Sequence, residues 1–422
     1  MAKATPADLA KARKRRGPIE KREQRLAFSM LAPTVASVLL IILVPLLANF
    51  WISVKPIELA DLRPAKMLVR ERVKGDIPVK VGDQLEIEYR VRSSSPKEEV
   101  REASLLDPLP RGLRVVEIGE PCRADAVAIS CEFGTLEPRK QVRVKSILEA
   151  EASYFDGEAV KPGDTELVVR GKSDNALASL DFTFENFRKV FDATEFWDVL
   201  WVSIVYTVFG TLGALILGLF AAQLMMTAFP GRSVLRGLFL FPYVSPVIAV
   251  AFTWVFLLDP FSGTLNAILQ TTGVTDEAVN FLGKRGIALW TVIAFEAWRY
   301  FPLSFLFILA RMQSLSADLN EAAEMDGATP LQKFWFINLP QLVGIISTLF
   351  LLRFIWTFNK FDDIFLLTGG ASGTRTLTVN VYEQAFALSN LGAGAAVAVV
   401  IFFVLTAFVA FYFRFVPKEE GM

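Results

Sequence analysis

The hydrophobic pattern divides the chain into long apolar runs and two polar regions, 55–180 and 314–342. A helix needs about 20 apolar residues to cross the bilayer core. Six runs reach that length: 26–54, 196–228, 237–258, 287–313, 343–368 and 391–414. Together with a hydrophobic content of 53%, the pattern predicts an all-α polytopic membrane protein with six transmembrane helices and one inserted domain.

The first apolar run follows a basic segment, Lys11–Arg16. The run is too long for a signal peptide and no small-residue cleavage site closes it, so we expect a retained membrane anchor. Because basic segments stay in the cytoplasm, the tails 1–25 and 416–422 and the loop 314–342 are predicted to be cytoplasmic. Residues 55–180 are then extracytoplasmic.

The region 55–180 has the pattern of a small β-sandwich. Leu85–Val91 alternates apolar and polar residues, as a half-buried strand does, and 142–147 and 167–169 are weaker strand candidates. Turn signals lie between them at 81–83, 109–112 and 161–164. The segments 82–84, 107–113 and 134–136, with the cysteines between them, resemble the Ig-like repeat of bacterial surface proteins. That resemblance implies a sandwich but no particular ligand.

Both cysteines of the chain, Cys122 and Cys131, fall in this region. Their spacing suits a hairpin and their predicted compartment is oxidising, which favours a disulfide. Two buried free thiols are the alternative.

Composition excludes several kinds of chemistry. The chain has no histidine, so it has no Ser-His-Asp triad and no His-ligated metal. It also lacks a G-x-x-x-x-G-K-[ST] phosphate loop. We therefore expect no catalytic site, no metal and no cofactor in this chain.

The polar stretch 321–340 predicts two short helices joined by a bend. Good helix formers occupy 321–324, and Asp318 or Asn320 is a suitable N-cap. Gly327 permits a positive φ, and Pro330 suits the start of a second helix over 331–338. Pro340 then marks the passage into the next span. An ordinary cytoplasmic helical hairpin would have the same local features.

The spacing of particular residues in this stretch supports a second interpretation. E-A-A-x-x-D-G-A, eight further residues and I-x-L-P closely resemble the coupling loop of binding-protein-dependent ABC importer permeases. The matching positions are Glu321, Ala322, Ala323, Asp326, Gly327, Ala328 and 337–340. Segments 184–187, 241–246 and 358–370, with Thr376, Leu377 and Tyr382, are similar to the sugar-permease branch. The resemblance covers about 182–415, and the overall plan resembles the maltose-type larger permease subunit.

This resemblance implies a type I permease in the bacterial inner membrane, with a core over 181–415 that forms half of a sugar path. The implied partners are the lipid bilayer, a second permease, an ATP-binding subunit dimer that holds ATP and Mg, and a periplasmic or lipid-anchored sugar-binding protein. No nucleic acid is expected. The implied cargo is a di- or oligosaccharide or a glucoside. Glu321 would enter a cleft of the ATPase, and Phe334 and Phe336 would anchor the second helix.

The sugar-contacting positions of that subunit fall by motif register on Tyr243, Glu296, Tyr300, Trp356, Thr357 and Lys360. Sugar sites combine polar groups with aromatic platforms, and polar residues inside spans usually face a cavity or bundle interior. Alternatively, Glu296 with Arg299 and Lys360 with Asp363 are structural i, i+3 pairs. Arg353 would then pair with an acidic residue of a partner subunit.

Two other classes of function stay open at this point. A self-contained secondary transporter would show internal repeats with broken helices, which the sequence lacks. A membrane-anchored extracytoplasmic interaction protein would need one span, not six.

Overall fold

The computed structural model describes residues 18–156, 163, 165–192 and 194–415. The basic segment Lys11–Arg16, the tail 416–422, and Lys161, Pro162 and Asp164 of a predicted turn lie outside the described residues. The described chain forms two compact units: a membrane unit of 18–54, 186–382 and 393–415, and a β-unit of 55–185 and 383–392.

The β-unit contains two four-stranded antiparallel sheets, ordered β1-β2-β7-β4 and β5-β6-β3-β8. The strands are β1 (Met67–Lys74), β2 (Gln84–Ser93), β3 (Val100–Pro108), β4 (Leu113–Ile118), β5 (Cys122–Ala124), β6 (Ala128–Leu136), β7 (Gln141–Ala150) and β8 (Val168–Lys172). Short 3₁₀ turns lie at Leu59–Leu62 and Ala152–Tyr154.

One hydrophobic core joins the two sheets, and the alternation in β2 explains how. Leu85, Ile87 and Tyr89 point inward and are buried together with Leu105 of β3 and Ile129 of β6. The residues between them point outward, as the two-residue period of a strand requires. The strands expected around 85–91, 142–147 and 167–169 are thus present as β2, β7 and β8.

The β-unit includes a segment that the sequence did not indicate, residues 383–392. Two backbone hydrogen bonds attach it to the start of the unit: Leu59 N donates to Ser389 O at 2.8 Å, and Gly392 N donates to Ile57 O at 2.9 Å. The expected domain boundary at 180 therefore omits both this return segment and residues 181–185, because backbone pairing across more than 300 residues leaves no local pattern.

Cys122 and Cys131 are joined as a disulfide. They are direct cross-strand partners of β5 and β6, so the bond closes the hairpin.

The membrane unit is built from helices. They are α1 (Pro18–Val38), α2 (Val44–Ser53), α3 (Glu185–Asp192), α4 (Phe196–Leu224), α5 (Arg232–Val244), α6 (Val247–Leu257), α7 (Thr264–Thr271), α8 (Ile287–Gln313), α9 (Ala317–Met325), α10 (Pro330–Lys333), α11 (Leu339–Phe358), α12 (Asp362–Thr368), α13 (Leu377–Tyr382) and α14 (Leu391–Phe415). π-helical turns occupy Leu39–Leu43 and Phe334–Asn338 in this unit, and Glu383–Ala387 in the β-unit.

Among the described residues, five continuous helices are long and apolar enough to span a membrane: Arg25–Ser53, Phe196–Leu224, Ile287–Gln313, Pro330–Phe358 and Leu391–Phe415. The pair α5 and α6 makes a sixth span if it crosses as one, but its two halves are bent by 92°. The third span expected over 237–258 is therefore a bent pair of helices and not one continuous helix. Pro246 lacks the N–H that would continue the helix, and Ser245 is extended.

The fifth span also differs from the expected run 343–368. It starts at Pro330 and ends at Phe358, after which α12 forms a separate helix. The predicted run was extended across the polar break at 359–363 because the apolar residues 364–367 of α12 follow it closely.

Candidate substrate path and coupling segment

A buried polar cluster joins three helices of the membrane unit around Glu296 of α8. Its Oε1 accepts hydrogen bonds from Arg353 Nη2 at 2.5 Å and from Thr357 Oγ1 at 2.9 Å, both on α11. Its Oε2 accepts from the Tyr206 hydroxyl of α4 at 3.1 Å. All four residues are buried. A charge inside a span is costly unless it is paired, so this network fixes the mutual positions of α4, α8 and α11.

Glycines on α4 allow α8 to approach this closely. A Cβ added at Gly210 would lie 2.8 Å from Glu296 Cγ, and one at Gly218 would lie 2.6 Å from Ser304 Cβ. Small residues at helix contacts are how membrane helices approach closely enough to pack and to bond across the interface.

The expected intrahelical ion pairs do not form. Glu296 pairs with Arg353 rather than Arg299, so Arg353 has its acidic partner within this chain. Lys360 Nζ lies 3.8 Å from Asp362 Oδ1 rather than near Asp363. The i, i+3 geometry does not apply to Lys360, because this residue lies in the break between α11 and α12.

Asp363 is fully buried, and among the described residues neither of its carboxylate oxygens has a hydrogen-bond partner. Its nearest cation is Arg299, whose Nε lies 4.0 Å from Asp363 Oδ1. Basic and acidic side chains occur in equal number in and beside the cluster, with the Asp362 side chain partly exposed at its edge: Arg299, Arg353, Lys360, Glu296, Asp362 and Asp363.

Tyr300 supplies an aromatic platform beside this cluster. Lys360 Nζ lies 4.3 Å and Arg353 Cζ 4.5 Å from the centre of its ring. The ring of Tyr243, at the end of α5, meets it edge-on with the centroids 6.1 Å apart. Cations over a ring face are attracted by its quadrupole, so the platform is held in place.

Five of the six expected sugar-contacting residues lie around one cluster, and the sixth, Trp356, is the neighbour of Thr357 on α11; the six differ in access. Tyr243 is 39% exposed and Trp356 is 48% exposed, and the Lys360 side chain is 23% exposed. Tyr300 is largely buried, while Glu296 and Thr357 are fully buried and bonded to other side chains. In this conformation the first three are accessible to a ligand.

The second candidate site is the elbow, which we define as residues 316–333. Its first helix, α9, is capped by Ser316, whose hydroxyl accepts from Asp318 N at 3.3 Å. The expected caps, Asp318 and Asn320, are wrong because the helix starts earlier, at Ala317. The site positions Glu321 and Ala322 on α9 are exposed, and Ala323 is half-buried.

The bend of the elbow is a Schellman motif centred on Gly327, whose φ is +79°. Gly327 N donates to Glu324 O at 3.0 Å, and Ala328 N donates to Ala323 O at 2.9 Å. These two bonds satisfy carbonyls that the helix end would leave unpaired. Asp326 precedes the bend as the C-cap residue.

The second helix starts with a capping box. Thr329 Oγ1 accepts from Gln332 N at 3.3 Å, while Gln332 Oε1 accepts from Thr329 N at 2.8 Å. The helix does not end before Pro340 as expected but runs on into α11. A π-helical turn over Phe334–Asn338 ends two residues before Pro340, and such a change of register accommodates the missing proline N–H.

An ion pair between Lys333 and Glu324 closes the elbow across the bend. The elbow therefore has a fixed shape, while its surface is open: Met325 is 89% exposed. Phe336, expected as a membrane anchor, is 79% exposed within this chain, whereas Phe334 is half-buried.

Comparisons with known proteins identify the family of this chain. The profile of the family "Binding-protein-dependent transport system inner membrane component" matches residues 214–419. The inner membrane ABC transporter permease protein YcjO of Escherichia coli K12 is 34% identical over 223 residues, which are 53% of this chain and 75% of that protein. The chain belongs to this family. It is an ABC importer permease, a transport component and not an enzyme.

Other relatives place this permease among sugar transport proteins and in the inner membrane. The trehalose/maltose transport system permease protein MalF of Thermococcus litoralis is 32% identical over 230 residues, which are 54% of this chain and 77% of that protein. The crystal structure of a bacterial ABC transporter for the import of the acidic polysaccharide alginate aligns with a TM-score of 0.51 at 20% identity, over 57% of this permease and 87% of that chain. This last likeness concerns the fold.

Sequence reasoning missed Tyr206 as a member of the polar cluster and considered Arg299 only as a partner of Glu296. The available signal for Tyr206 was a hydroxyl inside an apolar run that also carries glycines at 210, 213 and 218. Only the packing shows which charges face each other.

Proposed function

We propose that this permease forms half of the path of an ATP-driven importer for a neutral di- or oligosaccharide or glucoside, and that the elbow couples it to a separate ATPase dimer. The observation that carries the proposal is the elbow itself: a helical bend fixed by a Schellman motif and an ion pair, with Glu321 and Met325 exposed on it. A rigid exposed bend of this kind suits insertion into a cleft of another protein. ATP and Mg would be bound by that partner.

The engagement of the buried cations favours a neutral cargo. Arg353 is paired with Glu296, and Arg299 donates to two backbone carbonyls and faces Asp363, so neither buried guanidinium is available to an anionic ligand. The accessible groups are two aromatic rings, Tyr243 and Trp356, and the Lys360 ammonium. Rings and polar groups together recognise the weakly apolar faces and hydroxyls of a sugar. Glu296 and Thr357 would then support the path without touching the sugar.

The bent pair α5 and α6 counts as a span in this proposal. With six spans, the basic N-terminus places the β-unit outside the cell and the elbow and C-terminus in the cytoplasm. If the pair α5 and α6 entered and left the membrane on the same side, the elbow would lie outside the cell, away from cytoplasmic ATP. We further propose that the β-unit is an Ig-like domain, and that a second permease and a periplasmic or lipid-anchored sugar-binding protein complete the assembly.

Uptake of labelled saccharides by cells that express the complete transporter tests the proposal. We expect uptake that requires ATP and survives collapse of the ion gradients. Trp356→Ala and Lys360→Gln should raise the KM for sugar, because both side chains are accessible at the cluster, while the exposed control Trp197→Ala should not. Uptake driven by an ion gradient in the absence of ATP would instead favour a secondary transporter.

A further inference from the structure

The break between α5 and α6 leaves backbone carbonyls without their usual partners. In a continuous helix, the carbonyl of Pro242 would accept from the N–H of residue 246, which is a proline and has none. Ser245 is extended with ψ of 144°, so its own carbonyl leaves the helix as well. Inside a membrane, such carbonyls need a donor from elsewhere in the protein.

Arg299 of α8 supplies that donor to both carbonyls. Its Nη1 donates to Pro242 O at 3.1 Å and its Nη2 donates to Ser245 O at 3.0 Å. The planar fork of a guanidinium suits two acceptors at once. The cation also lies at the C-terminal end of α5, where the helix dipole favours positive charge.

The surroundings hold the guanidinium in this position. Arg299 is buried, its Nε lies 3.4 Å from the Tyr300 hydroxyl, and Asp363 Oδ1 lies 4.0 Å away as a counter-charge. Tyr243, the residue after Pro242 in the last turn of α5, meets Tyr300 edge-on. Arg299 therefore contacts both the bend and the aromatic pair at the proposed path.

We propose that Arg299 is a positioning residue that keeps the third span bent and thereby holds Tyr243 against Tyr300. The role in uptake rests on the function proposed above, whereas the bend itself is a property of the chain alone. Two measurements separate these claims.

The first measurement is a distance between spin labels on cysteines introduced at Leu238 of α5 and Phe256 of α6, both exposed. With a rise of about 1.5 Å per residue, the backbone distance is about 20 Å across the bend and about 27 Å in a continuous helix. We expect Arg299→Gln to broaden and lengthen the distribution towards the longer value. Arg299→Lys keeps the charge but loses the bidentate hydrogen bond, so its distance should lie between those of the wild type and Arg299→Gln. The control is Arg285→Gln, an exposed arginine before the same helix.

The distance distribution decides the proposal about the bend. A wild-type distribution in both Arg299 variants would overturn it. If Arg299→Gln does not fold, Arg299→Lys alone carries the test, and its unchanged distance would have the same meaning.

The second measurement is uptake by the same variants. We expect the KM for sugar to rise several-fold in Arg299→Lys with a smaller change in kcat, because Tyr243 is displaced while the elbow is untouched. A fall in kcat alone would contradict the link to Tyr243. Absence of uptake in the wild-type transporter would refute the proposed function and leave the distance result standing.

Discussion

Removing the Glu296 carboxylate should strongly destabilise the membrane unit. Glu296→Ala leaves the Arg353 guanidinium, only 2% exposed, without its acidic partner. It also deprives the Tyr206 and Thr357 hydroxyls of their acceptor. Breaking a buried ion pair by removing one partner costs about 3–5 kcal/mol. We expect a loss of that size for Glu296→Ala, measured by thermal or denaturant unfolding in detergent.

Two controls sharpen this prediction. Glu195→Ala removes an exposed carboxylate that pairs with Arg375, and such surface pairs contribute about 0–1 kcal/mol. The double replacement Glu296→Leu with Arg353→Met removes both charges and should recover much of the loss, since a buried pair replaced by apolar residues of similar volume is often neutral. The reasoning is refuted if Glu296→Ala costs no more than Glu195→Ala, or if the double variant is less stable than the single one.

Three further predictions concern the elbow and the β-unit. Gly327→Val should abolish uptake, whereas Gly327→Asn should retain part of it. A Cβ at this position has no neighbour within 4 Å, so the penalty comes from the positive φ, which asparagine tolerates. Equal uptake by both variants would contradict this prediction. Cys122 and Cys131 should resist alkylation until the protein is reduced, and labelling of the folded, unreduced chain would argue against the disulfide. Hydrogen bonds from Arg90 and Lys74 lower the pKa of Glu88 from 4.5 to about 2, so its contribution to stability is complete above about pH 4.5 and is lost as the pH falls towards 2. Unfolding temperatures of the full chain between about pH 5 and pH 2 should therefore fall more steeply for the wild type than for Glu88→Gln.

Local sequence patterns predicted much of the fold. Runs of apolar residues located the spans because the bilayer sets a minimum length, and alternation located β2 because one face of the sheet is buried. The bend at Gly327 and the helix start at Pro330 were also visible, since glycine and proline restrict the backbone locally.

Features that depend on tertiary contacts were not visible. The ion-pair partner of Glu296 is Arg353 on another helix, α11, so spacing along α8 does not reveal it. The bend at Pro246 had a local signal, but its size depends on the donor that Arg299 provides from another span. The segment 383–392 joins the β-unit through bonds to residues 57 and 59, which no sequence window contains.

The central claim is that the elbow contacts an ATPase, and photo-cross-linking tests it most directly. A photoreactive amino acid at Met325, on the elbow, is compared with one at Val274, which is also exposed but lies between α7 and α8. After irradiation of native membranes, mass spectrometry identifies the adducts. The account predicts that position 325 captures a chain with a nucleotide-binding ATPase domain and that position 274 does not. Recovery of the intact permease with no such adduct at 325, or with the ATPase at 274 instead, would contradict it.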